Sequence, residues 1–118
     1  AREAVECGHT VEIFEKSKVL GGELNAAGAH AFKKEIHQLR DWYIAELKEK
    51  NVPIHMETEF TPDMADSGKY DTVILAVGAT PIMPASIEGV EKAISAVELL
   101  ENHSDVGETV VVVGGGRL

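Results

Sequence analysis

The chain has 118 residues and a formal net charge of -9, from 20 acidic against 11 basic side chains, so it is no larger than one ordinary domain yet long enough to bury a core. That acidity excludes nucleic acid as the partner, because phosphate binding needs a basic surface. A single cysteine, Cys7, excludes an internal disulfide and any C-x-x-C redox pair.

The chain opens on "AREAVECGHT", without a Met, as expected of a processed or excised piece. This stretch has no basic start and no apolar core, so it is not a signal peptide, and no apolar run approaches the length of a membrane span. The composition suggests a soluble, cytoplasmic α/β protein.

In chain order, "REAVEC" contains good helix formers, and Gly8 stands where a helix ends in the left-handed conformation. In "TVEIF", Val11 and Ile13 alternate with Thr10, Glu12 and Phe14, which predicts a strand. "EKSKVLGGELNAAGAHA" is loop-like and rich in Gly and Ala. "FKKEIHQLRDWYIAELKEK" is the clearest helix, with Phe32, Ile36, Leu39, Tyr43 and Leu47 on one face and Ile44 widening it. Asn51 is placed to cap its end.

In "VPIHMETEF", Val52, Ile54 and Met56 alternate with polar residues, predicting a half-covered strand with Pro53 at its first positions or an edge. "TPDMADSGKYD" reads as a connection. "DTVILAV", residues 71 to 77, is a nearly unbroken apolar run, as expected of a strand covered on both faces. A Pro-rich crossing loop follows, and Ser95 with Glu98 predicts a capping box before "AVELLEN". "TVVVVGGGRL" closes the chain as a strand running into three glycines. Strands separated by helical segments imply an α/β fold with an open, mainly parallel sheet and helices on both faces, in three layers.

Four features bear on chemistry. Glu15 is an acid at the end of a strand that follows a helix and Gly turn, where dinucleotide-binding folds place the acceptor for ribose hydroxyls. Gly21-Gly22 allows the backbone close to a flat or charged ligand. Gly78 ends the apolar strand, in the position where open α/β sheets bind pyrophosphate. Gly114-Gly115-Gly116 would begin G-x-G-x-x-G, without its third glycine. Taken singly, each has a plain structural reading: a solvated strand-end carboxylate, or a turn.

Their order is more specific. "VEIFEKSKVLGGEL", "YDTVILAVGATP" and "VVVVGGG" resemble, in sequence, the flavoproteins with two dinucleotide domains. With "FKKEIHQLRDWYIAELKEKNVPIHMETEFT" between them, essentially the whole chain resembles the C-terminal FAD/NAD(P)-binding region of the NADH:flavin oxidoreductases. These are the old yellow enzyme-like, 2,4-dienoyl-CoA reductase and 2-enoate reductase family.

The resemblance implies a Rossmann-like sheet truncated at both ends, its first strand preceding Ala1. Residues 1–108 would be a partial FAD-binding domain, and 109–118 would open an NAD(P)H-binding domain. Glu15 would bind the adenosine ribose of FAD, with Lys16 beside it. Gly21, Gly22 and Leu24 would line the ribityl and pyrophosphate side, and the backbone near Phe60 would meet the adenine. Ala76, Val77, Gly78 and Ala79 would pass the pyrophosphate, while Gly114, Gly115 and Gly116 would serve the nicotinamide dinucleotide. FMN and an iron-sulfur cluster are expected outside this chain, which carries no catalytic residue of its own and is expected to be inactive alone. The remainder of the parent enzyme would be its partner.

The five histidines are scattered without metal-site spacing, so no metal is expected. Two other functions compete with electron transfer from NAD(P)H through FAD: a non-redox nucleotide-binding module, and an interaction module whose acidic face docks a basic partner. A last expectation concerns Val110 to Val113. "GGGRL" set before "AREAVEC" spells an imperfect fingerprint, with Glu15 roughly 20 residues on. These valines would then fill the vacant central slot of the sheet, in the same molecule or by exchange in a strand-swapped dimer.

Overall fold

The computed structural model describes residues 1–102 and 105–114. Two compact units divide the chain, Ala1–Thr80 and Pro81–Leu118. The first contains helix α1 (Arg2–Glu6), strand β1 (Ile13–Phe14), helix α2 (Leu24–Ala27), helix α3 (Lys34–Glu49), strand β2 (Ile54–His55) and helix α4 (Pro62–Asp66). A 3-10 turn, Ala31–Lys33, leads into α3.

The fold is mixed α/β, and its sheet has two parallel strands, Ile13 opposite Ile54 and Phe14 opposite His55. Parallel strands cannot be joined by a tight hairpin, and here α2 and α3 make the crossover. Backbone pairing reaches past the strands: Ile13 N–H donates to Pro53 O at 2.9 Å, Glu15 N–H to His55 O at 3.0 Å and Glu57 N–H to Ser17 O at 3.1 Å. Pro53 is tolerated because only its carbonyl is needed there.

Both predicted helix ends form. Gly8 has φ +89°, with His9 N–H bonded to Ala4 O and Gly8 N–H to Val5 O, each about 3 Å, the reciprocal pair that closes a helix. Asn51 does the same for α3 at φ +53°, as Val52 N–H reaches Leu47 O and Asn51 N–H reaches Lys48 O. The turn after Asn51 delivers Val52 into the interior. Val52 and Ala26 are the only buried hydrophobic residues among those described. Helices α1 and α3 meet through polar contacts: Arg2 Nε to Glu46 Oε2 at 3.0 Å, Lys50 Nζ to Glu6 Oε1 at 3.1 Å, and the Arg2 guanidinium over Trp42.

The inward face of α3 is rotated from the predicted one. Ile36, His37, Arg40, Ile44 and Leu47 are half-buried, whereas Phe32, Leu39 and Tyr43 are exposed. The predicted stripe counted only apolar residues. The actual one includes His37 and Arg40 because α2 offers them hydrogen-bond acceptors, described below.

The two apolar runs read as strands are not laddered. Residues 71–79 lie outside any strand, with Ile74, Leu75 and Val77 exposed. A strand exists only beside a partner that takes its N–H and C=O groups, and no described strand lies alongside. Composition reports the affinity of such a run for a sheet, not the presence of its neighbour.

The second unit contains a 3-10 turn, Val90–Lys92, entered from Gly89 at φ +81°, and helix α5 (Ala96–Asn102). Glu98 N–H donates to Ser95 Oγ at 3.0 Å, one half of the predicted capping box; among the described residues the reciprocal bond from Ser95 N–H to the Glu98 carboxylate is not seen. Val97, Leu99 and Leu100 are its half-buried side chains. Val110 to Val113 are exposed and unladdered, so insertion of these valines into a sheet of the same molecule is not seen. Gly115 and Gly116 lie outside the described residues.

Candidate functional site

The tip of β1 is built around Glu15. Its N–H is held by His55 and its carbonyl accepts from Thr58 N–H at 2.9 Å, so the residue is fixed between β1 and the segment after β2. Its carboxylate curls back on the chain, and Oε1 accepts the Ser17 N–H at 2.7 Å. Among the described residues Oε2 accepts no hydrogen bond. Glu15 is thus a half-buried acid with one oxygen committed and one free, fixed by three backbone bonds. A preset acceptor of this kind suits a ligand hydroxyl. Lys16, next to it, is exposed.

Phe60 is two residues beyond Thr58 and half-buried. Its ring is tilted against Phe14 at 5.1 Å and edge-on to Tyr70 at 5.8 Å, while Phe14 also stacks on His55 at 4.6 Å. The alternation of extended chain explains this: Phe14 leaves β1 on the side that Glu12, just before the strand, also takes, and Ile13 leaves on the other. On the Glu12 face an open cleft of about 380 Å³ lies between the strands and α4, lined by Phe14, His55, Met64 and Tyr70 among others.

Gly21 and Gly22 form the turn into α2, with φ +114° and +47°. A Cβ on Gly21 would lie 2.6 Å from Arg40 Cδ and 3.0 Å from Asn25 Oδ1, whereas Gly22 faces open space. Gly21 is therefore required twice, by its dihedral and by the side chain across it. Arg40 Nη1 donates to Asn25 Oδ1 at 2.8 Å, and Asn25 Nδ2 donates to Leu20 O at 3.3 Å. His37 Nε2 lies 3.1 Å from Asn25 O, and the same ring fills the space over Gly28. Leu24 starts α2, half-buried. The glycine turn is thus clamped to α3 by Arg40, Asn25 and His37.

The remaining expected positions are less enclosed. Ala76, Val77, Gly78 and Ala79 are exposed, with Gly78 in the left-handed region at φ +73°. Gly114, at φ +102°, belongs to the second unit. The structure thus joins the backbone of Glu15 to Thr58, two residues before Phe60, whose ring packs on Phe14, and it ties Gly21, Gly22 and Leu24 to α3.

Glu12 was not singled out in the sequence. Its carboxylate receives Lys69 Nζ at 3.1 Å and Tyr70 OH at 3.1 Å, and lies 3.1 Å from His55 Nε2. The Lys69 ammonium holds its carboxyl below the ordinary value, against the opposing effect of burial, with Tyr70 and His55 adding to the stabilisation. An acid inside an apolar strand, on the face of an aromatic residue, is the signal that could have marked it. Arg40 and Asn25 carry no such local signal. Among the described residues no group of three or more His, Cys, Asp or Glu could hold a metal ion, and no helix is long and apolar enough to cross a membrane.

No protein-family model matches the chain. It is 36% identical over 123 residues to the metal reductase of Desulforamulus reducens, covering 100% of this chain and 18% of that protein. It is 35% identical over 116 residues to the cinnamate reductase of Clostridium sporogenes, covering 98% and 17%. A solved structure of 2-naphthoyl-CoA reductase with 2-naphthoyl-CoA superposes with a TM-score of 0.80 at 28% identity, over 91% of this chain and 16% of that one. The chain spans less than a fifth of the length of the curated relatives it matches. Along essentially its whole length the chain is similar to one segment of these larger reductases, in keeping with its resemblance to the NADH:flavin oxidoreductases of the old yellow enzyme-like, 2,4-dienoyl-CoA reductase and 2-enoate reductase family.

Proposed function

We propose that this chain is the dinucleotide-handling part of a flavin-dependent oxidoreductase that passes electrons from NAD(P)H via FAD. The observation that carries the reading is Glu15, held at the tip of a parallel strand with one carboxylate oxygen free. That is the acceptor an adenosine ribose needs. The residues present fit FAD: Phe60 backs the tip as an apolar wall for the adenine side, and Lys16 adds an exposed cation. Gly21 leaves room that a side chain would fill, and Gly78 bares the backbone between Val77 and Ala79.

FAD, when bound, supplies the hydride and single-electron chemistry that no side chain here provides. The protein's part is binding and orientation. Glu15 would accept from the ribose hydroxyls. The clamp of Arg40 on Asn25 would keep the glycine turn open, and the 76–79 stretch would follow the pyrophosphate.

On this reading 1–108 is the FAD-binding part and 109–118 opens the NAD(P)H-binding part. The free edge of β1 then receives further parallel strands in the whole enzyme, giving the three-layer open sheet. FMN, an iron-sulfur centre and the final electron acceptor belong to the rest of that enzyme.

Titration of the protein with FAD, followed by flavin fluorescence and thermal shift, tests this directly. Saturable FAD binding supports it. Saturable binding of a non-flavin nucleotide without FAD binding favours the non-redox nucleotide-binding module.

A further inference from the structure

The geometry points to Glu12 as a positioning residue for the adenine side of the Glu15 site, acting through the Tyr70 hydroxyl on the ring of Phe60. This deepens the proposed function and rests on it for its ligand.

Glu12 is two residues before Phe14 and shares its side of the chain, and its carboxylate is half-buried, with 23% of the side chain exposed. Tyr70 is 58 residues away in sequence, and its hydroxyl donates to Glu12 Oε2 at 3.1 Å. That bond fixes the outer end of the ring. The inner part of the ring is placed edge-on to Phe60 at 5.8 Å and to Phe14 at 6.1 Å. Phe14 touches Phe60 at 5.1 Å, so three rings brace one another, and Glu12 is their polar anchor.

Two further groups keep the anchor ionised and oriented. Lys69 Nζ meets both carboxylate oxygens at 3.1 Å and also lies over the Tyr70 ring at 4.9 Å. His55 Nε2 is 3.1 Å from Oε2 while its ring stacks on Phe14. An exposed ion pair between Glu12 and Lys69 alone would contribute little. Its value here is geometric, because the same carboxylate receives the hydroxyl that locks an aromatic ring. Phe60 has no polar atom in its side chain, so only packing can hold it in one rotamer. Tyr70 and Phe14 supply that packing.

The test compares Glu12→Ala, Tyr70→Phe and the double variant, with melting temperature as the folding control, since a glutamine at 12 would still accept the Tyr70 hydroxyl. Tyr70→Phe keeps the ring and removes only the anchor bond, so it decides the matter should Glu12→Ala fail to fold. Each single variant is expected to weaken ADP and FAD by about fivefold, as loss of one hydrogen bond implies. The double variant should lose about as much as either single one, since both remove the bond between Tyr70 and Glu12. The Phe60 ring proton resonances should shift in both variants without ligand.

Unchanged nucleotide affinity in variants of a protein that binds ADP would overturn the inference, as would unchanged Phe60 resonances. If the unmodified protein binds neither ADP nor FAD, the proposed function fails instead. The resonances then still decide whether Glu12 positions Phe60.

Discussion

Glu12 and Lys69, 57 residues apart in sequence, form a two-pronged contact in which Nζ lies 3.1 Å from each carboxylate oxygen. It is a charged link between the approach to β1 and the segment following α4, and it lowers the pKa of the Glu12 carboxyl.

Lys69 holds the Glu12 carboxyl below its ordinary value of 4.5, and Lys50, aided by Arg2, does the same for Glu6. A carboxyl whose pKa is depressed by folding stabilises the fold above its unfolded value and loses that contribution as pH falls through its folded one. Stability should therefore decline as pH drops below about 4.5. Urea midpoints measured from about pH 6 down to about pH 3 check this. Glu12→Gln should flatten the acid limb.

At Gly21, a side chain meets both a left-sided dihedral, φ +114°, and the Arg40 side chain. Gly21→Ala is expected to cost about 2 kcal/mol. Adding Arg40→Ala should relieve the steric part but not the dihedral part, which chemical denaturation of the two variants will separate.

Asn51 occupies the left-handed position after α3 at φ +53°. Asn51→Ala should cost about 1 kcal/mol, because it keeps the Cβ but loses the side-chain bond to Glu49 O, and Asn51→Gly close to nothing, because glycine has no Cβ to strain. Thermal melts of both variants test this.

Two apolar segments stand unladdered, with Ile74 79% and Val112 83% exposed. Such runs recruit other chains by edge pairing. The protein alone should associate as its concentration rises, and Ile74→Lys with Val112→Lys should suppress this in sedimentation velocity. Association unaltered by both substitutions would place the contact elsewhere.

Local chemistry was legible in the sequence, and distant partnership was not. Gly8, Asn51 and Ser95 were readable as caps because a cap depends on a few neighbouring residues. Glu15 was readable because the end of a strand is a local place. Residues 71–77 and 110–113 were overread, since an apolar run says nothing of the strand that must lie beside it. The α3 face was misjudged where His37 and Arg40 point inward, drawn by acceptors on Asn25 that only the tertiary fold brings near. Glu12 was passed over for the same reason, as its three partners come from β2 and from the end of the first unit.

The most direct test is Glu15→Gln, measured by FAD titration beside the unmodified protein. The substitution keeps the shape and the bond to Ser17 N–H but removes the charge that a ribose hydroxyl would meet. Saturable FAD binding weakened about tenfold in the variant, at an unchanged melting temperature, is the predicted result. Equal FAD affinity in the two proteins, or none in either, would contradict the account.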